Sequence, residues 1–185
     1  IMLHASQHDE NAVVFVPSRR QAQLTAIDIM AYAKAIHEED QFLHNVNRVK
    51  DVIDTRLARS SKALKIVLAQ GVGFLHTGMT ARERSVVKQL YKDGSIRVLV
   101  CQKDLCWSVS DVSARLVTVT GTCSYDAAEH RYVDYPITDV LQMIGLAGRR
   151  GKDSVGNVVV LCHNPKKVYL KRFLHESLPV ESHFD

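Results

Sequence analysis

The chain is predicted to fold as an α/β protein, with a parallel sheet carrying helices on both faces. Three observations predict this. Five short apolar runs, at 12–17, 71–75, 96–101, 116–119 and 157–162, are separated by stretches of helical character, an alternation that favours a parallel sheet. The runs are continuous rather than alternating, which suits strands covered on both faces. Polar or basic residues follow the strands directly: Ser18-Arg19, His76, Gln102-Lys103 and Thr122, while Arg149-Arg150 precede one. Ligands of such folds bind outside the carboxyl ends of the strands, so a polar, basic edge is expected there.

Each element has its own signal. Residues 1–10 are polar and His-rich. The run AVVFVP at 12–17 reads as a strand stopped by Pro17. Ser18 to Gln21 then forms an S-x-x-Q capping box. Leu24, Ile27, Met30 and Ala31 repeat at helical spacing to about residue 36. Two further stripes, Val46, Val49, Val52, Ile53 and Leu57, then Ala63, Leu64, Val67 and Leu68, predict a helical insertion at about 37–70. GVGFL at 71–75 is the second strand. His76-Thr77-Gly78-Met79-Thr80 follows, with Thr80 and Glu83 as a second capping box for a helix over 81 to about 91. A glycine-bearing turn that opens a helix is a natural phosphate seat, because free N–H groups and the dipole point outwards. IRVLVC and LVTV supply the third and fourth strands, and 125–135 reads as a polar loop.

Residues 134–151, DYPITDVLQMIGLAGRRG, predict a short helix that delivers cations to a site. Thr138 is its expected N-cap, and Val140, Leu141 and Ile144 its buried side. Gln142, Gly145 and Arg149 share one flank, and Arg149-Arg150 close the helix where the dipole favours cations. NVVVLC at 157–162 is the fifth strand, and Asn164-Pro165 is read as cap and first residue of a last helix. A linker at 178–185 is expected to lead to a following domain.

Composition sets limits. One domain is the default at 185 residues. A balance of 24 basic to 20 acidic residues gives +4, mildly basic and compatible with nucleic acid. Cys101, Cys106, Cys123 and Cys162 show no C-x-x-C pairing, so free thiols are expected rather than zinc or a disulfide. No long apolar run or signal-peptide pattern is present. There is no G-x-x-x-x-G-K-[ST] and no D-E-x-H, hence no phosphate loop and no acidic pair for Mg²⁺. Phosphoryl transfer needs those parts together, so the chain alone is expected neither to bind ATP tightly nor to hydrolyse it.

Several segments together resemble one family. QMIGLAGRRG is similar to motif VI, Q-x-x-G-R-A-G-R, of DExH-type superfamily-2 helicases. VVFVPSRRQAQLTAIDI, GVGFLHTGM, LCW, YVDYPITDVLQMIG and LPVESHFD extend the likeness along nearly the whole chain. They resemble the second RecA-like domain of the large spliceosomal RNA helicases with two cassettes, most of all the C-terminal cassette. The resemblance implies a domain over 1–177, excised from something longer, whose partners are RNA (small nuclear RNA), other spliceosomal proteins and the neighbouring domains of the same chain, in the nucleus. It implies RNA contacts from Ser18, Arg19, His76, Gly78, Gln102 and Lys103. It implies nucleotide contacts from Gln142, Gly145, Arg149 and Ser110, with Gln142 and Arg149 catalytic, no resident metal, and ATP with Mg²⁺ only when the first RecA-like domain is present.

The motifs also depart from the family. Leu146 stands at its first motif VI arginine, and Gln102, Ser108 and Ser110 depart from motif V, where a small residue follows the strand. Loss of an arginine finger costs ~10³–10⁵ in rate where catalysis depends on it. A regulatory pseudo-enzyme cassette is the first reading. An active cassette using Arg149, and a protein-interaction module without RNA contact, are the alternatives. A relative acting on recombining DNA or in RNA decay is the runner-up family.

Overall fold

The computed structural model describes residues 10–36, 42–148 and 156–176. Its central sheet has five strands: β1 (Ala12–Val16), β2 (Val72–Leu75), β3 (Val98–Gln102), β4 (Leu116–Val119) and β7 (Asn157–Val160). Their order is β2-β3-β1-β4-β7, and every pairing is parallel. β1 is central: Ala12 lies opposite Val98 on one side and Leu116 on the other. All residues of β1 to β4 are buried, as continuous apolar runs require.

Six helices accompany the sheet: α1 (Arg19–Ala35), α2 (Val46–Thr55), α3 (Lys62–Leu68), α4 (Ala81–Lys92), α5 (Ile137–Ile144) and α6 (Asn164–His175). Both capping boxes read from the sequence have their N-cap bonds. Ser18 Oγ accepts from Gln21 N–H at 3.2 Å, and Thr80 Oγ1 accepts from Glu83 N–H at 3.2 Å. The Glu83 carboxylate completes its box by accepting from Thr80 N–H at 2.8 Å. Asn45 and Ser61 cap α2 and α3 in the same manner.

Helix α1 buries Ala22, Ala26 and Ala33 fully, Ile27 and Met30 pack half-buried against the core, and Leu24 is 45% exposed. It lies across β2 and β3, and alanine lets its backbone approach them closely. Three local expectations are corrected. The polar loop at 125–135 is a hairpin, β5 (Cys123–Asp126) with antiparallel β6 (Arg131–Asp134). Asp126 Oδ1 accepts from the N–H groups of Ala128 and Glu129, an Asx-type turn that reverses the chain. The N-cap of α5 is Pro136 rather than Thr138, and α5 stops at Ile144 with Gly145 as C-cap, short of the arginines. Its fully buried residues are Val140 and Met143, while Leu141 and Ile144 are half-buried. The N-cap of α6 is His163, one residue earlier than read.

Two contacts tie α5 to the sheet. Ala114 N–H donates to Leu146 O at 2.9 Å, and Gly148 N–H donates to Ala114 O at 2.8 Å. They pin the segment after α5 beside the start of β4. All four cysteines are free, with Cys101 and Cys106 buried. No helix among the described residues is long and apolar enough to cross a membrane.

Candidate functional site

The carboxyl ends of β1, β2 and β3 bring four of the six candidate RNA-binding residues, Arg19, His76, Gly78 and Gln102, together around Thr77. From the turn after β1, Arg19 Nε donates to Thr77 Oγ1 at 2.7 Å. Its guanidinium reaches the next residue as well: a Cβ on Gly78 would lie 3.5 Å from Arg19 Nη1 and 3.2 Å from His76 Nδ1. Gly78 therefore lets the turn nestle under the arginine. From the end of β3, Gln102 Oε1 accepts from Thr77 N–H at 3.0 Å and from Thr77 Oγ1 at 3.2 Å. Gln102 is only 5% exposed, and its Nε2 donates to Asp104 Oδ2 at 2.5 Å.

Lys103 turns the other way. Its Nζ pairs with Asp104 Oδ1 at 2.6 Å and stands 5.2 Å from the centre of the Tyr135 ring. The Lys103 charge is thus half-covered and aimed rather than free in solvent. The Tyr135 hydroxyl is buried without a hydrogen-bond partner. Burial raises its pKa above the ordinary phenol range, and the nearby Cys123 and Asp104 add to the rise.

His76 stacks on Phe74, with ring centroids 5.6 Å apart and planes at 9°. Burial, then the Arg19 charge, pulls its pKa below the ordinary 6.5, with Glu83 opposing. A neutral ring agrees with the geometry, because His76 Nδ1 accepts from Gly78 N–H at 3.1 Å.

The phosphate seat expected of this turn is filled from within. Thr77 N–H goes to Gln102, Gly78 N–H to His76 Nδ1, Met79 N–H to His76 O, and Thr80 N–H to Glu83. Within the turn itself, what remains for an anion is cationic side chain rather than backbone N–H. The sixth RNA candidate, Ser18, is occupied in its cap: its hydroxyl also donates to Gln21 Oε1 at 3.1 Å.

The nucleotide candidates lie elsewhere. Gln142 is half-buried on α5, Gly145 is exposed at its C-cap, and Ser110 is exposed in the loop before β4. Among the described residues these three share no hydrogen bond with the strand-edge cluster. Leu146 is 4% exposed and packs in the core. Arg149 and Arg150 lie outside the described residues. Trp107 is 57% exposed, and its Nε1 donates to Asp139 Oδ1 of α5 at 2.8 Å. This contact ties the loop after β3 to the helix of the QMIG segment. Ser108 is also exposed, and its carbonyl accepts from Lys88 Nζ at 3.3 Å.

A nucleotide phosphate chain with Mg²⁺ does not fit the described residues by themselves. Their one glycine-bearing turn ahead of a helix has its N–H groups occupied, and no group of three or more His, Cys, Asp or Glu is placed to hold a metal ion. Sequence reading missed Thr77, Asp104, Tyr135 and Asp139. Thr77 and Asp104 adjoin residues it had named, and only the spatial contacts reveal their part.

No protein-family profile matches the chain. Individual relatives do. The U5 small nuclear ribonucleoprotein 200 kDa helicase of Homo sapiens is 46% identical over 173 residues, covering 94% of this chain. A DExH-box ATP-dependent RNA helicase of Arabidopsis thaliana is 40% identical over 182 residues, 96% of the chain. Over nearly its whole length the chain is similar to DExH-type helicases. Activating signal cointegrator 1 complex subunit 3 of Danio rerio is similar too, at 46% identity over 171 residues and 92% of the chain. The chain spans only 8% of the length of the first two relatives and 11% of the third. Its five-stranded parallel sheet with flanking helices is the RecA-like arrangement. In this chain the basic strand-edge cluster and the α5 flank are two separate candidate surfaces.

Proposed function

We propose that the chain is the second RecA-like domain of an ATP-dependent RNA helicase of the pre-mRNA splicing machinery, acting in the nucleus. It grips the backbone of single-stranded RNA at the carboxyl edge of its sheet, and its cassette is a regulatory pseudo-enzyme. The supporting observation is the convergence of Arg19, His76, Gly78 and Gln102 from three different strand ends around Thr77, with Lys103 beside them on Asp104. Residues drawn from three separate stretches of sequence meet where open parallel sheets bind ligands. Arg19 and Lys103 bring positive charge and Ser18 flanks them, which suits phosphate rather than base recognition. ATP and Mg²⁺ would be held mainly by the preceding RecA-like domain, with Gln142, Gly145, Ser110 and Arg149 facing them across the cleft. Small nuclear RNA and other spliceosomal proteins are the proposed partners.

Degeneracy of the cassette rests on Leu146, which has no donor and no charge and is buried. The equal identity of the cointegrator-complex relative keeps a helicase of that kind as the second reading.

The test is anisotropy of a labelled oligouridylate titrated with the chain across a salt series. Arg19→Ala is expected to weaken binding and to flatten the salt slope by about 0.7, the effect of one lost phosphate contact on a single strand. Binding that Arg19→Ala leaves untouched at every salt concentration refutes the RNA-facing role.

A further inference from the structure

We infer that Gln102 is a built-in competitor for RNA phosphate, an internal plug that sets how tightly this strand edge binds. The inference rests on the RNA-facing reading above and concerns the same edge.

The geometry carries it. A carboxamide oxygen with two lone pairs sits where two donors converge, Thr77 N–H at 3.0 Å and Thr77 Oγ1 at 3.2 Å. One carboxamide oxygen here fills the place of one phosphate oxygen. The orientation of the amide is fixed by chemistry. A carboxylate only accepts and a backbone N–H only donates, so Nε2 must face Asp104 and Oε1 must face Thr77. Asp104 thus holds the plug in its seat and takes Lys103 with its other oxygen at 2.6 Å. Arg19 Nε completes the arrangement by donating to Thr77 Oγ1, which places the guanidinium beside the plug.

The side chain is also poised to leave. It hangs from the last residue of β3, at the end of the strand. An arriving phosphate would take over Thr77 N–H and stay within reach of Arg19. Gln102 would keep its bond to Asp104 or turn outwards. The exchange swaps one acceptor for another at the same donors, so its net cost is about that of one ordinary hydrogen bond, and removing the competitor should strengthen binding by a similar amount. His76 Nδ1 occupies Gly78 N–H in the same fashion, but as part of a stacked ring it is the less mobile of the two.

The experiment compares the wild-type chain, Gln102→Ala and Arg19→Ala for binding a labelled oligouridylate of about ten nucleotides, within the footprint of single-strand grooves. Gln102→Ala is expected to bind roughly threefold to tenfold more tightly, the value of one hydrogen bond, while Arg19→Ala binds more weakly. Unchanged or weaker binding by Gln102→Ala, with Arg19→Ala still weakened, overturns the plug and leaves the RNA-facing role standing. No effect from either substitution removes that role and the plug with it. Should Gln102→Ala not fold, the wild-type chain decides by NMR. The Gln102 carboxamide protons and the Thr77 amide proton are expected to shift together as oligouridylate is added. Carboxamide resonances that stay fixed at RNA saturation overturn the inference.

Discussion

Leu146 is the residue at which sequence and structure say different things. In the sequence it is a lost guanidinium. In the fold it is a core side chain, 4% exposed, whose carbonyl holds Ala114. An arginine placed there enters an apolar setting that would have to open for the charge to escape. Leu146→Arg is therefore expected to destabilise the chain by roughly 3 kcal/mol, read from urea denaturation midpoints, before any gain in catalysis is visible. A midpoint that does not move would mean the side chain swings out at little cost, leaving the finger position accessible. The same scale explains what was legible in the candidate site. Arg19, His76, Gln102 and Lys103 stood out because each follows an apolar run, while Gly78 came from the glycine-bearing turn and the family resemblance. Their internal bonding did not, because Gln102 and Thr77 are 25 residues apart in the chain and nothing in either segment announces the other.

Elements were legible where their signal is local. Continuous apolar runs marked β1 to β4, and Thr80 with Glu83 marked the start of α4 because both partners lie within one turn. Thr80→Ala is expected to cost about 1 kcal/mol, since Glu83 N–H loses its acceptor and the reciprocal carboxylate bond loses its frame. Thermal unfolding followed by circular dichroism measures it, and a midpoint equal to wild type would show the cap to be redundant. The hairpin of β5 and β6 was missed for a physical reason. Its alternation is weak, with the pair Tyr125 and Tyr132 both exposed and meeting edge-on at 5.6 Å, and the strands are only four residues long. The helical spacing of Leu24, Ile27 and Met30 marked α1, but close packing on the sheet selects Ala22, Ala26 and Ala33 for full burial, beside half-buried Ile27 and Met30.

At the scale of the whole molecule, the two candidate surfaces have different debts to what lies outside the described residues. The strand-edge cluster is complete within this chain, so RNA affinity is a property the chain should show by itself. On the proposed reading the α5 flank would face ATP only across a cleft with the preceding RecA-like domain. The complete C-terminal cassette, with its first RecA-like domain, is expected to show no RNA-stimulated ATP hydrolysis, measured by phosphate release. Robust hydrolysis abolished by Arg149→Ala would instead establish Arg149 as the working finger and the cassette as a motor.

The central place of β1 has a further consequence, for synthesis. Ala12 waits for Val98 and for Leu116 before either side of its strand is paired. A ribosome delivers the chain from the amino end, so AVVFV emerges well before either of its sheet neighbours. During that interval an apolar strand with two open edges has only chaperones or other nascent chains to meet. The middle of the finished sheet is thus the most vulnerable segment of the unfinished one.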